Sequence, residues 1–287
     1  MDRPDVRAFF DEETYTVSYV VADPASHRAA VIDPVLGYDP VSGRTSTEPS
    51  AEVLGYIQEY HLINDWIFET HIHADHVTAA PYIKESTGGT IAAGAHVTSV
   101  QQTFKAVFNL ESLECDGSQF DHLFEADETF QLGDIGCRVL FTPGHTPACV
   151  TYVIGDAAFV GDTMFMPDYG TARCDFPGGN AAQLYDSIQA ILSLPDDTRL
   201  FMCHDYKAPG RDEYAWETTV AEQREKNVHF GDGMSKGDYV EMRERRDSGL
   251  DVPTLILPSI QVNIRAGQFP PPEDNQTRYL KIPIDAL

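Results

Sequence analysis

The segment THIHADHVTAA, residues 70–80, places His71, His73, Asp75 and His76 within six positions. Ionisable side chains crowded in this way repel one another or compete for hydrogen bonds, and the usual resolution is a cation that they share. His71 and His73 are two apart, so in an extended segment they leave the same face, and Asp75 and His76 follow where the chain turns. Three more residues of the same chemistry each follow a β-like run: His145 after CRVLFTPG, Asp162 after AFVG and His204 after RLFMC. Five of the ten histidines belong to this set. His27, His61, His96, His122 and His229 lack such a context and are expected to be ordinary core or surface residues.

Positioning these groups requires strand ends that converge on one edge. TVSYVVAD (16–23) and AAVIDPV (29–35) read as short buried strands closed by Asp-Pro turns. LGYDPVSGRTSTEPS (36–50) reads as a polar loop, and AEVLGYIQEYH (51–61) as a helix with Val53, Leu54, Ile57 and Tyr60 at helical spacing. Trp66–Phe68 is a strand that runs into the histidine cluster. Helices are expected near 78–87 and 97–108 around a strand at 90–94, then near 180–194 and 213–228. RLFMCHDY (199–206) reads as a strand, and the end of the chain as a charged stretch followed by a proline-rich tail. Strands and helices alternate, but no G-x-G-x-x-G follows the first strand, which argues against a dinucleotide fold.

With 287 residues, 42% of them hydrophobic, the chain can bury a large core. Its N-terminus carries acids where a signal peptide needs an apolar run, so no export and a cytoplasmic location are expected. No apolar stretch is long enough for a membrane helix. Cys115, Cys137, Cys149, Cys174 and Cys203 are odd in number and form no C-x-x-C pair, which points to reduced thiols. A formal charge of −25 disfavours nucleic acid, whose phosphates it would repel. The charge is uneven: residues 1–206 hold 9 Lys/Arg against 31 Asp/Glu, whereas 207–287 hold 11 against 14. An anionic small molecule would therefore be met by the C-terminal third.

HIHADH, TPGHT, GDTMF and CHDY, in this order, resemble the metallo-β-lactamase superfamily over residues 15–206. The resemblance implies an α+β fold, an αββα sandwich of two mixed β-sheets flanked by helices, with the metal pocket at one edge. It implies a catalytic domain at 1–212 and a C-terminal helical or tail extension at 213–287 that packs on the sandwich. Within the superfamily, HADHVTAA, GHTPACVTYV, YGTARCDFPGG, HDY and QVNIRAG are most similar to the persulfide dioxygenases, and to a bacterial β-lactamase-like hydrolase group found in sulfide-responsive operons. Glyoxalase II-like hydrolases share the first histidine motif but usually continue with a Gly-Gly pair, where this chain has Thr78-Ala79-Ala80.

By that resemblance one Fe(II) per chain is held by His71, His145 and Asp162, a two-histidine, one-carboxylate set with open positions. His73, Asp75, His76 and His204 then orient ligands and bound water, or in two-zinc relatives hold a second metal. The implied reaction oxidises glutathione persulfide with O2 and water to sulfite and glutathione. The alternative is a dinuclear zinc hydrolase of a glutathione thioester, with two Zn(II) per chain and a bridging hydroxide. Arg173, Tyr206 and Arg265 are the family-matched candidates for binding the anionic carrier, with Asn263 and Lys207 behind them. Cys174 and Cys203 lack a base with an orienting partner and are expected to act as small buried hydrophobes. A homo-oligomer, a dimer, is expected, and sulfur delivery by a separate sulfurtransferase, since these 287 residues include no rhodanese module.

Overall fold

The computed structural model describes residues 3–231 and 233–285. In the first half, β1 (Asp5–Asp11), β2 (Thr16–Ala22) and β3 (Arg28–Ile32) form an antiparallel meander. β4 (Val35–Asp39) and β5 (Arg44–Ser46) make a hairpin, and α1 (Glu48–Glu59) leads into β6 (Ile63–Phe68). There follow β7 (Val77–Thr78), α2 (Ala80–Thr87), β8 (Thr90–Gly94), α3 (Val97–Val107) and β9 (His122–Phe124). The second half contains β10 (Thr129–Leu132), β11 (Ile135–Phe141), β12 (Val150–Ile154), β13 (Ala157–Phe159), α4 (Ala181–Leu192), β14 (Arg199–Phe201), β15 (Glu217–Thr219) and α5 (Val220–Lys226). The chain closes with α6 (Lys236–Asp247) and α7 (Ile256–Asn263).

Two six-stranded mixed sheets result, in the orders β1-β2-β3-β6-β8-β9 and β10-β11-β12-β13-β14-β15. The apolar runs are explained by burial on both strand faces. Along β2, Val17, Tyr19 and Val21 face the second sheet, while Val20 and Ala22 face the helices. Along β12, Val150, Tyr152 and Ile154 face inward, and Val153 outward. The inter-sheet core joins Ile32, Phe68 and Phe124 of one sheet to Val139, Tyr152 and Phe159 of the other. Phe68 stacks on Tyr152 across it, centroids 4.3 Å apart at 15°. The outer face of the first sheet is covered by Val53 and Ile57 of α1, Ile83 of α2, Phe104 of α3 and Ile260 of α7. Leu184 and Ile188 of α4, Val220 of α5 and Tyr239 of α6 cover the second. This is the four-layer αββα sandwich that the motifs imply.

Three segments differ from the sequence reading. The stretch 36–50 is not a loop throughout: β4 and β5 pair, and β4 also pairs with β7 to form a small third sheet. The hairpin turn is built by Asp39, whose carboxylate accepts from Val41 N–H and Ser42 Oγ, and by Gly43 at φ +69°. The helix expected at 213–228 is shorter, because Glu217–Thr219 pairs with β14 as the edge strand of the second sheet. Thr219 then caps α5 by accepting from Glu222 N–H. The charged stretch and tail contain α6 and α7, and α7 brings Asn263 to the histidine segment. Residues 1, 2, 232, 286 and 287 of the expected domain ranges lie outside the described residues.

Candidate metal centre

All the candidate ligands sit just beyond strand ends at one edge of the sandwich. β6 leads into His71–His76, β11 into His145, β13 into Asp162 and β14 into His204. Gly161 permits the close approach of the first and third segments. It sits at φ +52°, and a Cβ there would lie 2.7 Å from Thr70 Oγ1. The ligand atoms of His71, His145 and Asp162 lie within 4.8 Å of one another, all buried. Asp162 Oδ2 is 3.9 Å from His71 Nε2 and 3.7 Å from His145 Nε2. His204 Nε2 is 3.5 Å from Asp162 Oδ1 and 3.3 Å from Asp75 Oδ2.

The outward hydrogen bonds fix which nitrogen of each ring keeps its lone pair. His145 Nδ1 donates to the Arg173 carbonyl at 2.7 Å, and His204 Nδ1 to the Tyr15 carbonyl at 3.1 Å. His76 Nδ1 donates to Asp75 at 2.9 Å. Thr70 Oγ1 gives its proton to Asp33, so it accepts from His71 Nδ1 at 3.1 Å. His73 Nε2 donates to Asp33 at 2.9 Å, with Glu69 at 3.4 Å. Among the described residues, His71 Nε2, His76 Nε2, His204 Nε2, His73 Nδ1 and Asp162 Oδ1 are buried without partners. Lone pairs that face a carboxylate with no proton between them repel, and a cation turns that repulsion into attraction. The donor set therefore fits a metal ion.

The electrostatics separate the histidines. Burial, reinforced by His73 and His145, holds the His71 imidazole well below its ordinary pKa, so it stays neutral and able to ligate. Burial also opposes a charge on His73, yet Asp33 and Glu69 outweigh it and raise that pKa well above the ordinary value. For Asp75, burial is outweighed by His204 and His76, which hold the carboxylate well below its usual range.

Sequence reasoning located all seven histidines and aspartates but not their supports. Asp33, at the end of β3, accepts from Thr70 N–H and Oγ1 as well as from His73. Its signal was an acid ending an apolar run. Glu69 accepts from Thr78 and lies against His73. Thr16 Oγ1 lies 3.3 Å from Asp75, 3.3 Å from His76 Nδ1 and 3.4 Å from His204 Nδ1. Inside an apolar run, Thr16 carried no signal.

The candidate carrier contacts are placed differently from one another. The Arg173 guanidinium forms a bidentate pair with Asp175 and donates to the Asp251 carbonyl. What reaches the site is its backbone carbonyl, through His145. The Tyr206 ring, 38% exposed, stacks on His204 at 5.6 Å and 15°, in an aromatic wall with Tyr15 and Tyr169. Arg265 is half-buried, its Nε has no partner among the described residues, and burial lowers its pKa. Lys207 sits over the Tyr214 ring at 4.2 Å. Asn263 bonds to the histidine segment itself. All five cysteines are free, and burial pushes the Cys174 thiol up to about 12 and Cys203 well above its ordinary value.

A four-layer sandwich with converging imidazoles and carboxylates at one edge defines a metal-dependent enzyme centre. The pattern of the metallo-β-lactamase superfamily matches residues 12–204, and the chain belongs to that superfamily. It is 52% identical over 293 residues to a probable metallo-hydrolase of Burkholderia pseudomallei, covering 98% of this chain and 99% of the relative. It is 53% identical over 284 residues to a β-lactamase hydrolase-like protein of Agrobacterium fabrum, covering 99% of this chain but only 65% of that longer relative. The bovine mitochondrial persulfide dioxygenase ETHE1 is 28% identical over 270 residues, covering 93% of this chain and 90% of the relative. Among solved structures, ETHE1 from Myxococcus xanthus aligns with a TM-score of 0.73 at 30% identity, over 92% of this chain and all of that one. No helix among the described residues is long and apolar enough to cross a membrane.

Proposed function

We propose that the chain is an Fe(II)-dependent persulfide dioxygenase, which converts glutathione persulfide, O2 and water to glutathione, sulfite and two protons. The observation that carries the reading is the mutual grouping of His71, His145 and Asp162, two imidazole nitrogens and one carboxyl group. His73 Nε2 is turned toward Asp33 and Glu69, and Asp75 takes the His76 Nδ1 proton, so the open nitrogens of these rings are His73 Nδ1 and His76 Nε2. Ferrous iron at that triad would supply one centre on which a persulfide thiolate and O2 meet and electrons pass between them. The protein's part is to hold both reactants. Arg265, whose Nε has no partner among the described residues of a strongly acidic chain, suits a glutathione carboxylate, and the Tyr206 wall suits the carrier's flank. Arg173, engaged with Asp175, acts through its carbonyl by fixing the His145 ring. The similarity to ETHE1 proteins points the same way.

The second reading is a dinuclear zinc hydrolase of a glutathione thioester. It is favoured by the buried, unpartnered His76 Nε2 and His204 Nε2, the latter 3.5 Å from Asp162 Oδ1. The relatives above 50% identity carry names that say hydrolase, without a metal count or a substrate. We propose a cytoplasmic location, supported by five free cysteines, and further propose a homodimer with a separate sulfurtransferase supplying the persulfide. The deciding experiment loads the protein anaerobically with iron and follows O2 uptake and sulfite release with glutathione persulfide. The expected outcome is about one iron per chain and one O2 per sulfite. About two zinc per chain with thioester hydrolysis and no O2 uptake would replace this reading by the second.

A further inference from the structure

The segment His71–His76 belongs to no helix or strand, and among the described residues none of its peptide groups joins a backbone–backbone hydrogen bond. A loop that carries four candidate ligands needs some other restraint on its main chain. The restraint comes from the C-terminal end of α7. Asn263, 2% exposed, donates through Nδ2 to the His73 carbonyl at 2.9 Å and the His76 carbonyl at 2.8 Å. Its Oδ1 accepts from Thr78 N–H at 3.0 Å. One carboxamide thus holds both ends of His73-Ala74-Asp75-His76 and Thr78, the last residue of β7. α7 itself is fixed by Ile260 and Ile264 in the outer core of the first sheet. Just beyond it, Gly267 at φ +83° brings the main chain against Pro81 and Thr78, where a Cβ would approach Pro81 Cδ to 2.5 Å.

We infer that Asn263 is a positioning residue of the metal centre: its carboxamide sets the main-chain path of the ligand loop and so aims the His73, Asp75 and His76 side chains. Only an amide fills this place. A carboxylate would set an oxygen against two carbonyls, and an alanine would leave two buried carbonyls unsatisfied. The inference rests on the metal centre and not on the dioxygenase reading, since a loop that is misaimed binds metal poorly whatever reaction follows.

The test uses Co(II) as a spectroscopic metal on the full chain. Asn263→Asp, Asn263→Ala and Asn263→Ser are compared with Gln261→Ala on the same helix, whose side chain ties only α7 and the tail, to the Leu257 and Lys281 carbonyls. Loss of support around a ligand set typically costs ~10–100-fold in metal affinity. The Asp and Ala variants are expected to weaken Co(II) binding by that factor and to change its visible bands. Asn263→Ser, which keeps one donor, should fall between, and Gln261→Ala should bind as wild type. Wild-type affinity and bands in the three Asn263 variants would overturn the inference. So would metal-free melting that falls in step with affinity across all four variants, which would make the effect one of general stability.

Discussion

At the residue scale, the candidate centre contains side chains grouped as ligands and others that hold them in place, and single substitutions separate the two roles. His204→Ala removes a ring whose Nδ1 is held by the Tyr15 carbonyl and whose Nε2 faces Asp162. With one metal at the triad, iron content should stay at wild-type level while turnover drops by ~10–100-fold, the usual cost of an orienting group. Loss of one of two bound metals, read by elemental analysis, would count for the dinuclear site instead. Arg265→Ala is expected to leave iron untouched and to raise KM with kcat nearly constant, because a remote carboxylate contact is equally strong in ground and transition states. A charged hydrogen bond of this kind is worth about 1.5–3 kcal/mol, so kcat/KM should fall by about ten- to a hundred-fold. An unchanged KM would remove Arg265 from the carrier site. Seven ligand-type residues were legible because the motif types and their strand-end positions are local. Thr16 and the supporting role of Asp33 were not legible, since each is set by neighbours far away in the chain.

At the scale of elements, the same contrast explains which segments were readable. β2, β8 and α4 follow from periodicity and length, because their faces are buried and their caps local; Asn180, for instance, caps α4 by accepting from Gln183 N–H. β4–β5 and β15 carry little apolar signal and exist because an adjacent strand offers a ladder. α6 is charged on its exposed face and is anchored by Tyr239, whose hydroxyl bonds Thr171 beside the aromatic and basic groups behind the centre. His229 belongs to this junction: its Nδ1 accepts from Thr171 N–H at 2.9 Å, and burial together with Arg243 and Arg246 lowers its pKa to about 4. The unfolded chain therefore binds this proton near pH 6.5, and the folded one only near 4. The contribution is intact above about pH 6.5 and is lost as pH falls toward 4, amounting to ~3 kcal/mol on the order of magnitude of such shifts. His229→Asn keeps an acceptor for Thr171 and removes the titration. Its stability, from urea melts across pH 4–7, should decline less steeply with acid than that of wild type. Parallel curves would show that His229 does not titrate with folding.

At the scale of the whole molecule, the centre is shared between two layers. His71 and its neighbours hang from β6 in the first sheet, whereas His145, Asp162 and His204 hang from β11, β13 and β14 in the second. The two sheets meet through the core around Phe68 and Tyr152 and through main-chain bonds such as Val17 N–H to the Cys203 carbonyl. Asn263 joins the loop from the far end of the chain. Such separations in sequence make the centre one of the last things the chain can assemble, since distant pairings carry the loop-closure cost before they gain anything. The two tryptophans give independent clocks: Trp66 packs against Phe68 and Phe130 between the sheets, and Trp216 stacks on Phe10 at the opposite edge. During refolding in the presence of Co(II), burial of the tryptophans should precede the visible bands of the bound metal, and extra Co(II) should leave the early fluorescence phase unaccelerated. A metal signal that rises with or before the fluorescence would mean that the ion gathers its ligands in the unfolded chain. In kinetic terms the edge site acts as a checkpoint: a chain with misdocked sheets, however compact, has no place to keep its metal.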